Sequence, residues 1–269
     1  VDELRYEFVP ANTDSGQHVG SYRRRLPVNL VRMYENALDW EHLPHLHESS
    51  FSALELLDAG AWGWRAKVVD QRKGSDSIIE LRLDRSARRW ITRNLEGPAK
   101  GAEIWTHVFE VAPQSLDIVV DFFVPDVQAS QRDKVGRAYA SAYEVLYDED
   151  VRMMTERQQQ LDRRIDAVVS ADSLLLGAVD EITAPLAFSL SDRSFVLQKV
   201  DAEWVVYPQR CPHQLGPLAL DPDTPGQVRC AWHGYRFDLQ SGECLGNSNC
   251  RLGQRPQVRI EAGQLTVHW

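Results

Sequence analysis

The chain has 269 residues, enough for two ordinary domains, and its 43% hydrophobic and 26% charged content is that of a water-soluble globular protein. A formal net charge of -9 argues against nucleic acid as a partner. The longest apolar run, 118–124, is far too short to span a bilayer and is broken by Asp121, so no membrane partner is expected, and no basic-then-apolar leader opens the sequence.

In chain order, Ser21 to Val28 reads as a strand running into a helix from about Asn29, whose side chain suits an N-cap. Strand-like runs follow at 51–57, 63–70, 77–84, 88–95, 103–112 and 116–124, separated by Gly, Pro, Asp or Ser as in an antiparallel meander. From about Val127 to Ile165 the period becomes helical, with Val135, Ala138, Tyr139, Ala142, Val145 and Leu146 on one face and no Pro to interrupt it. A curved sheet gripping a long C-terminal helix is the helix-grip arrangement, an α+β fold of the Bet v 1/START kind that encloses an apolar cavity. Trp62, Trp64, Trp90, Trp105 and Phe109 are candidates for the cavity wall or for ordinary core, because strand side chains alternate faces and sequence does not fix the register. The remainder reads as all-β, with strands at 194–200, 204–207, 227–231, 257–261 and 265–267 and loops rich in Pro and Gly. The expected organisation is two domains, 1–168 and 172–269, with the boundary between Asp166 and Ser173.

Within the all-β half, Cys211-Pro-His213 and Cys230-Ala-Trp-His233 set two mixed Cys-His pairs close together. Two thiolates on one iron and two imidazoles on the other are the ligands of a Rieske [2Fe-2S] cluster, whose potential falls at roughly −150 to +300 mV against about −400 mV for an all-thiolate site. Tetrahedral zinc is the alternative, but its pairs are usually Cys-Cys and His-His, whereas here Cys precedes His each time. The flanks, CPHQLGPLAL and RCAWHGYRFDLQSGECL, resemble the Rieske family, and the resemblance implies Cys211, His213, Cys230 and His233 as cluster ligands. Respiratory-chain members carry an extra Cys beside each pair; here Pro217 or its neighbours and Trp232 stand there. Tyr235, rather than a Ser able to bond the cluster sulfur, follows Gly234. Fewer hydrogen bonds to sulfur imply a lower potential, as in the ferredoxin and oxygenase branch. Cys244 and Cys250 are then packed thiols in a reducing compartment, and a cytoplasmic location is expected.

The stretch Glu35-Asn36-Ala-Leu-Asp39-Trp-Glu-His42-Leu-Pro-His45-Leu-His47 gathers three histidines. By itself it fits a solvated, His-rich helix end as well as a metal site. Non-haem Fe(II) oxygenases need two His and one carboxylate with coordination positions left open. The Asp-x2-His-x4-His pattern of Asp39, His42 and His47 is similar to that of Rieske non-haem iron oxygenases, and the resemblance extends to Glu35-Asn36 and to both domains. It implies that His42 and His47 hold a mononuclear Fe(II) and that Asp39 bridges to a cluster histidine. His45 is the alternative second ligand: Pro44 interrupts a regular helix, so helical angle does not choose between them, and the family pattern favours His47. The carboxylate is sought in Tyr147-Asp148-Glu149-Asp150, where the family often shows Glu-Asp. Asp150 is the choice, against a plain solvated acidic face. Glu149 and Asp148 point roughly 100° and 200° away on a regular helix, so Glu149 is expected to be dispensable and Arg163 and Arg164 to face solvent. The domain order is inverted relative to the family's usual one, with the iron domain first.

The resemblance implies an oxygenase component that uses O2, and electrons from a reductase or ferredoxin fed by NAD(P)H, to hydroxylate, dihydroxylate or demethylate a small, largely apolar organic substrate. A homotrimer is the assembly it implies. The alternative is a Rieske electron-transfer protein fused to a ligand-binding helix-grip domain without catalytic iron. Iron content separates the two, at about three irons per chain against about two.

Overall fold

The computed structural model describes residues 16–70, 75–165, 171–200, 202–246 and 249–269. The chain divides into two compact units, Val1–Thr155 and Glu156–Trp269. The linker expected between Asp166 and Ser173 falls largely on 166–170, outside the described residues.

The first unit begins with β1 (Gln17–Leu26), α1 (Leu30–Leu38), a 3-10 turn at Trp40–His42 and α2 (Leu43–Leu46). The meander β2 (Ala53–Gly60), β3 (Gly63–Asp70), β4 (Ser75–Asp84), β5 (Arg89–Glu96), β6 (Glu103–Ala112) and β7 (Ser115–Val124) follows, and then the long helix α3 (Arg132–Ile165), whose last turns from Glu156 belong to the second unit. The sheet order is β1-β7-β6-β5-β4-β3-β2, every pair antiparallel, so β1 closes onto the last strand of the meander. Register shifts at His18/Gly20, Leu56/Asp58, Ile78/Ile79 and Glu110/Ala112 supply the bends that curve the sheet round its helix. This is the helix-grip fold expected from the sequence.

Alternation along the strands decides which aromatics face inward. On β7, Leu116, Ile118, Val120 and Phe122 are buried, and on β6, Ile104, Thr106 and Val108. Trp105 and Phe109 therefore point to the outer face, where Phe109 is 53% exposed, and Trp62 lies in the β2–β3 turn beneath the Arg82 guanidinium. Of the five aromatics considered for the cavity wall, only Trp64 and Trp90 line it. The outer face keeps one buried carboxylate, Glu80, satisfied by Arg65 at 2.5 Å and Arg82 at 2.6 Å.

The buried stripe of α3 also differs from the apolar face read in the sequence. Ala138, Ala142 and Val145 are exposed, and the sheet is met by Gly136, Tyr139, Tyr143, Tyr147 and Asp150. Ring area explains the difference, because a tyrosine buries far more surface than an alanine and can carry its hydroxyl to a partner. The Tyr139 and Tyr143 rings pack on Phe122 of β7 at 5.2 and 5.3 Å, and the Tyr147 hydroxyl bonds Thr106 of β6.

In the second unit the strands are β8 (Ser173–Ala178), β9 (Leu186–Leu190), β10 (Arg193–Val200), β11 (Glu203–Pro208), β12 (Leu218–Leu220), β13 (Gln227–Cys230), β14 (Arg236–Asp238), β15 (Gln257–Glu261) and β16 (Gln264–His268). They form three three-stranded sheets, β11-β10-β9, β12-β13-β14 and β15-β16-β8. Phe195, Leu197, Val206, Leu265 and Val267 centre the main core. The unit is all-β beyond the helix, as expected; β8, β9, β12 and β14 add to the strands read from the sequence.

Helix and sheet of the first unit meet at two glycines. A Cβ on Gly136 would lie 2.2 Å from the Val19 carbonyl oxygen, and one on Gly20 would lie 3.2 Å from the Gly136 Cα. Gly136→Ala should raise helix propensity by up to about 1 kcal/mol yet destabilise the protein by about 1–3 kcal/mol through the forced shift. Urea unfolding of the variant measures this, and an unchanged or higher midpoint would mean that helix and strand do not approach so closely.

Candidate metal centres

The first centre is built by the segment between β1 and β2. The Asn29 side chain accepts from Arg32 N at 2.9 Å and starts α1, whose end is held to the sheet where Trp64 Nε1 donates to Ala37 O at 3.0 Å. Pro44 stands in the first turn of α2, where its missing N–H leaves no gap in the ladder, so the chain breaks into a 3-10 turn and a new short helix. His42 ends the turn and His47 closes α2, its N–H bonded to Leu43 O. Both rings face inward, 2% and 1% exposed.

Asp150, from α3, meets them. One donor atom from each of His42, His47 and Asp150 falls within 4.8 Å of the others. His47 Nε2 lies 3.1 Å and His42 Nε2 3.5 Å from Asp150 Oδ1, with the imidazoles 5.2 Å apart and at 72°. Asn36 Nδ2 donates to the same carboxylate oxygen at 2.9 Å. His45 lies outside this group. Asp148 turns away to Arg24 at 2.5 Å. Glu149 does not face away as the helical angle suggested: its Oε2 stands 2.6 Å from His47 Nδ1. The sequence offered no role for Asn36 beyond the Glu-Asn resemblance, and it offered Glu149 only as the alternative to Asp150 as the carboxylate ligand. The Asp39 side chain is 6% exposed, with Oδ2 3.7 Å from His42 Nδ1, beyond hydrogen-bond length.

Burial works against charge on His42, but the carboxylates of Asp150 and Asp39 outweigh it and push the imidazole up to about 9. Burial likewise pushes Asp150 up, and the two histidines more than reverse it, holding the carboxyl well below the usual range. A metal entering here has to displace the His42 proton, so its apparent affinity rises with pH toward that value. Two imidazoles and one carboxylate fit non-haem Fe(II).

The trio sits in the wall of a cavity of about 120 Å³, bounded by Phe51, Trp64, Ile79, Leu81, Trp90 and Tyr143, with no Lys or Arg in its lining. Burial first, then neighbouring tyrosine and the Asp150 charge, raises the Tyr143 and Tyr147 hydroxyls, so both stay protonated at neutral pH.

The second centre is made of two loops that repeat one device. In the first, Leu215 N bonds Cys211 O at 2.9 Å and Cys211 N bonds Gly216 O at 2.8 Å. In the second, Gly234 N bonds Cys230 O at 2.9 Å and Cys230 N bonds Tyr235 O at 2.8 Å. Each turn closes through a left-handed residue, Leu215 at φ 68° and Gly234 at φ 65°; glycine takes that conformation without strain, whereas leucine is held there at a cost of roughly 1–2 kcal/mol. Cys211 and Cys230 are fully buried, and the His213 and His233 rings lie 4.6 Å apart at 74°, with Tyr235 stacked on His213 at 4.8 Å. A Cβ on Gly216 would come within 2.9 Å of Cys230 Sγ and 2.8 Å of Trp232, so only glycine leaves room beside the thiol. The hydrogen bond between the two thiols lowers Cys230, while the same bond and burial push Cys211 up. The donor set, two thiols and two imidazoles on paired loops, fits a [2Fe-2S] cluster of mixed ligation. Cys244 and Cys250 are half-buried and form no disulfide.

Residues 173–255 match the family model of the Rieske [2Fe-2S] domain, so the second unit contains a Rieske domain, which implies a [2Fe-2S] cluster. Among curated proteins, pheophorbide a oxygenase, chloroplastic, of Oryza sativa subsp. japonica is 40% identical over 65 residues, covering 23% of this chain and 12% of the relative. The chain thus spans about an eighth of that relative's length in the match. A START superfamily protein from Mycobacterium smegmatis superposes with a TM-score of 0.41 at 15% identity, over 54% of this chain and 99% of its own. The ferredoxin of carbazole 1,9a-dioxygenase from Nocardioides aromaticivorans gives 0.32 at 14% identity, over 36% of this chain and 98% of its own. No helix among the described residues is long and apolar enough to cross a membrane.

Glu149 generates a direct test. A carboxylate on the far nitrogen of a ligand histidine fixes its tautomer and orientation, and losing such a partner typically weakens metal binding roughly 10–100-fold. Glu149→Ala should show that loss in a Co(II) or Fe(II) titration while keeping its fold by circular dichroism; native affinity would return Glu149 to an ordinary surface role. At the second centre, Cys211→Ala should abolish the visible spectrum of a purified chain and Cys244→Ser should preserve it. A colourless, folded Cys244→Ser protein would overturn the ligand assignment.

Proposed function

We propose that the chain is a Rieske-type oxygenase component acting on a small, neutral, largely apolar organic substrate. The observation that carries this reading is the His42, His47, Asp150 group in the wall of an apolar cavity, on the same chain as a Rieske domain. In this reading residues 1–168 form the catalytic domain and 172–269 the Rieske domain. His42, His47 and Asp150 hold Fe(II), which supplies O2 activation, and Cys211, His213, Cys230 and His233 hold the cluster, which supplies single electrons.

The chain's own residues have assignable tasks. Glu149 and Asn36 orient His47 and Asp150. Phe51, Trp64 and Trp90 exclude water and press a flat substrate toward the metal ligands. A cavity of this size suits a single-ring molecule, since cavities of about 150 Å³ admit benzene. With no Lys or Arg in the lining and the His42 charge already matched by Asp150, a carboxylate or phosphate on the substrate would go unpaired, which favours a neutral one. The protonated hydroxyl of Tyr143 is the available donor to a substrate oxygen. Asp39, beside His42, is assigned the bridge toward a cluster histidine. Electrons come from a reductase or ferredoxin that draws on NAD(P)H. A closed head-to-tail trimer would let the cluster of one copy serve the iron of the next. The four cysteines form no disulfide, which suits a reducing compartment such as the cytoplasm. The oxygenase named among the relatives supports the reaction class.

Iron analysis and O2 uptake test the reading. The native chain should bind about three irons and Asp150→Ala about two, with the Rieske spectrum kept and substrate-dependent O2 consumption lost. Asp39→Asn should keep both sites filled but slow re-oxidation of the reduced cluster in a single turnover with substrate and O2. A native chain with two irons and no O2 uptake would favour an electron-transfer protein fused to a ligand-binding domain.

A further inference from the structure

We propose that the second unit carries a docking cleft for an acidic electron-donor protein, centred on Arg163, Arg193 and Arg251. The proposal rests on the oxygenase reading and names the surface through which its electrons arrive.

The cleft has a volume of about 460 Å³, several times that of the cavity beside Asp150. One wall is Pro212 and Leu215, from the loop that carries Cys211 and His213. Gln160 and Arg163 from the last turns of α3, Arg193, Ser194 and Phe195 from the start of β10, and Arg210, Arg251 and Gln254 complete the lining. Four guanidiniums thus converge on a cleft that contains one carboxylate, Asp192.

Among the described residues, only Arg210 of the four forms an ion pair, with Glu156 at 3.3 Å. Arg251 is held by donating to Ser241 O at 2.7 Å, and the Arg193 guanidinium lies 5.5 Å from the Trp269 ring centroid. Both groups are positioned by neutral partners, so their charge is available to a ligand. Arg163, Arg193 and Arg251 are exposed, which suits a broad partner surface better than an enclosed small anion. Guanidinium forks bind carboxylates in two-point fashion, and side-chain carboxylates of an acidic protein are the matching chemistry.

The rest of the chain sharpens the choice. With a net charge of -9, most of its surface repels an acidic partner, so a cationic cleft selects both place and orientation of approach. The place is useful: the loop forming its wall holds a thiol and an imidazole of the cluster set, and Arg157 Nη1 fixes that loop by donating to Gln214 O at 2.9 Å. A donor seated there gives up one electron as the chain gains one.

The test uses the full chain with its cluster and a reduced plant-type [2Fe-2S] ferredoxin as the probe donor, followed by stopped-flow absorbance. The variants are Arg163→Glu/Arg193→Glu/Arg251→Glu and each of its single changes, and Arg259→Glu, elsewhere in the unit, controls the single reversals for net charge. At low salt the triple variant should be reduced about tenfold or more slowly than the native chain, with the difference shrinking as salt rises, while Arg259→Glu stays close to native. Reduction by dithionite should be the same in all of these proteins. Equal ferredoxin rates in the native and triple-variant chains, or a loss with Arg259→Glu equal to that of the single reversals, would overturn the docking cleft and leave the cluster reading intact. A native chain with no [2Fe-2S] spectrum would overturn both.

Discussion

A carboxylate buried in an apolar interior must be paired, and the first unit is arranged round that requirement at Asp150. The pairing falls to His42 and His47, two imidazoles that a broken helix turns inward, and to the Asn36 amide. Without them Asp150 would take up a proton; with them it stays ionised and the His42 imidazole is charged to match. The same three groups fit a metal-ligand set, so the pairing of the buried carboxylate also preforms the site. The cavity follows from the geometry, because the helix that brings Asp150 also brings Tyr143 and Tyr147, and the curved sheet opposite supplies Trp64 and Trp90.

How closely helix and sheet approach is set far from the metal group, at Gly20 and Gly136. Backbone contact there leaves no room for a side chain, and the tyrosine rings fix the distance farther along, where Tyr139 and Tyr143 rest on Phe122. The His42, His47, Asp150 group lies farther still along the helix, beyond those rings.

The second unit solves a different problem with repeated local geometry. Both loops close a short turn through a left-handed residue one or two positions after the cluster-type histidine, so backbone hydrogen bonds help to place the thiols and imidazoles. Small, stiff loops suit a centre that passes electrons, since little has to move when its charge changes. They also allow a charged cleft to be built directly on one of them, with arginines from α3 and β10.

What the sequence by itself determined is what lies within a few residues along the chain. The mixed pairs Cys211/His213 and Cys230/His233, the Asp39, His42, His47 spacing and the Asn29 cap are local, and local chemistry is written in local order. The alternation of β7 and the helical period after Val127 were legible for the same reason, and with them the helix-grip class. Tertiary structure decided everything that depends on strand register or on rotation of a helix about its axis. It chose Asp150 over Asp148 to meet the histidines, brought Glu149 to the far nitrogen of His47, and turned Trp105 and Phe109 outward while Trp64 and Trp90 turned in. It also gathered Arg163, Arg193, Arg210 and Arg251, spread over 89 positions of sequence, round one cleft. A rotation of roughly 100° per residue, or a one-residue slip in register, would reverse each of these choices, and no short stretch of sequence encodes either quantity.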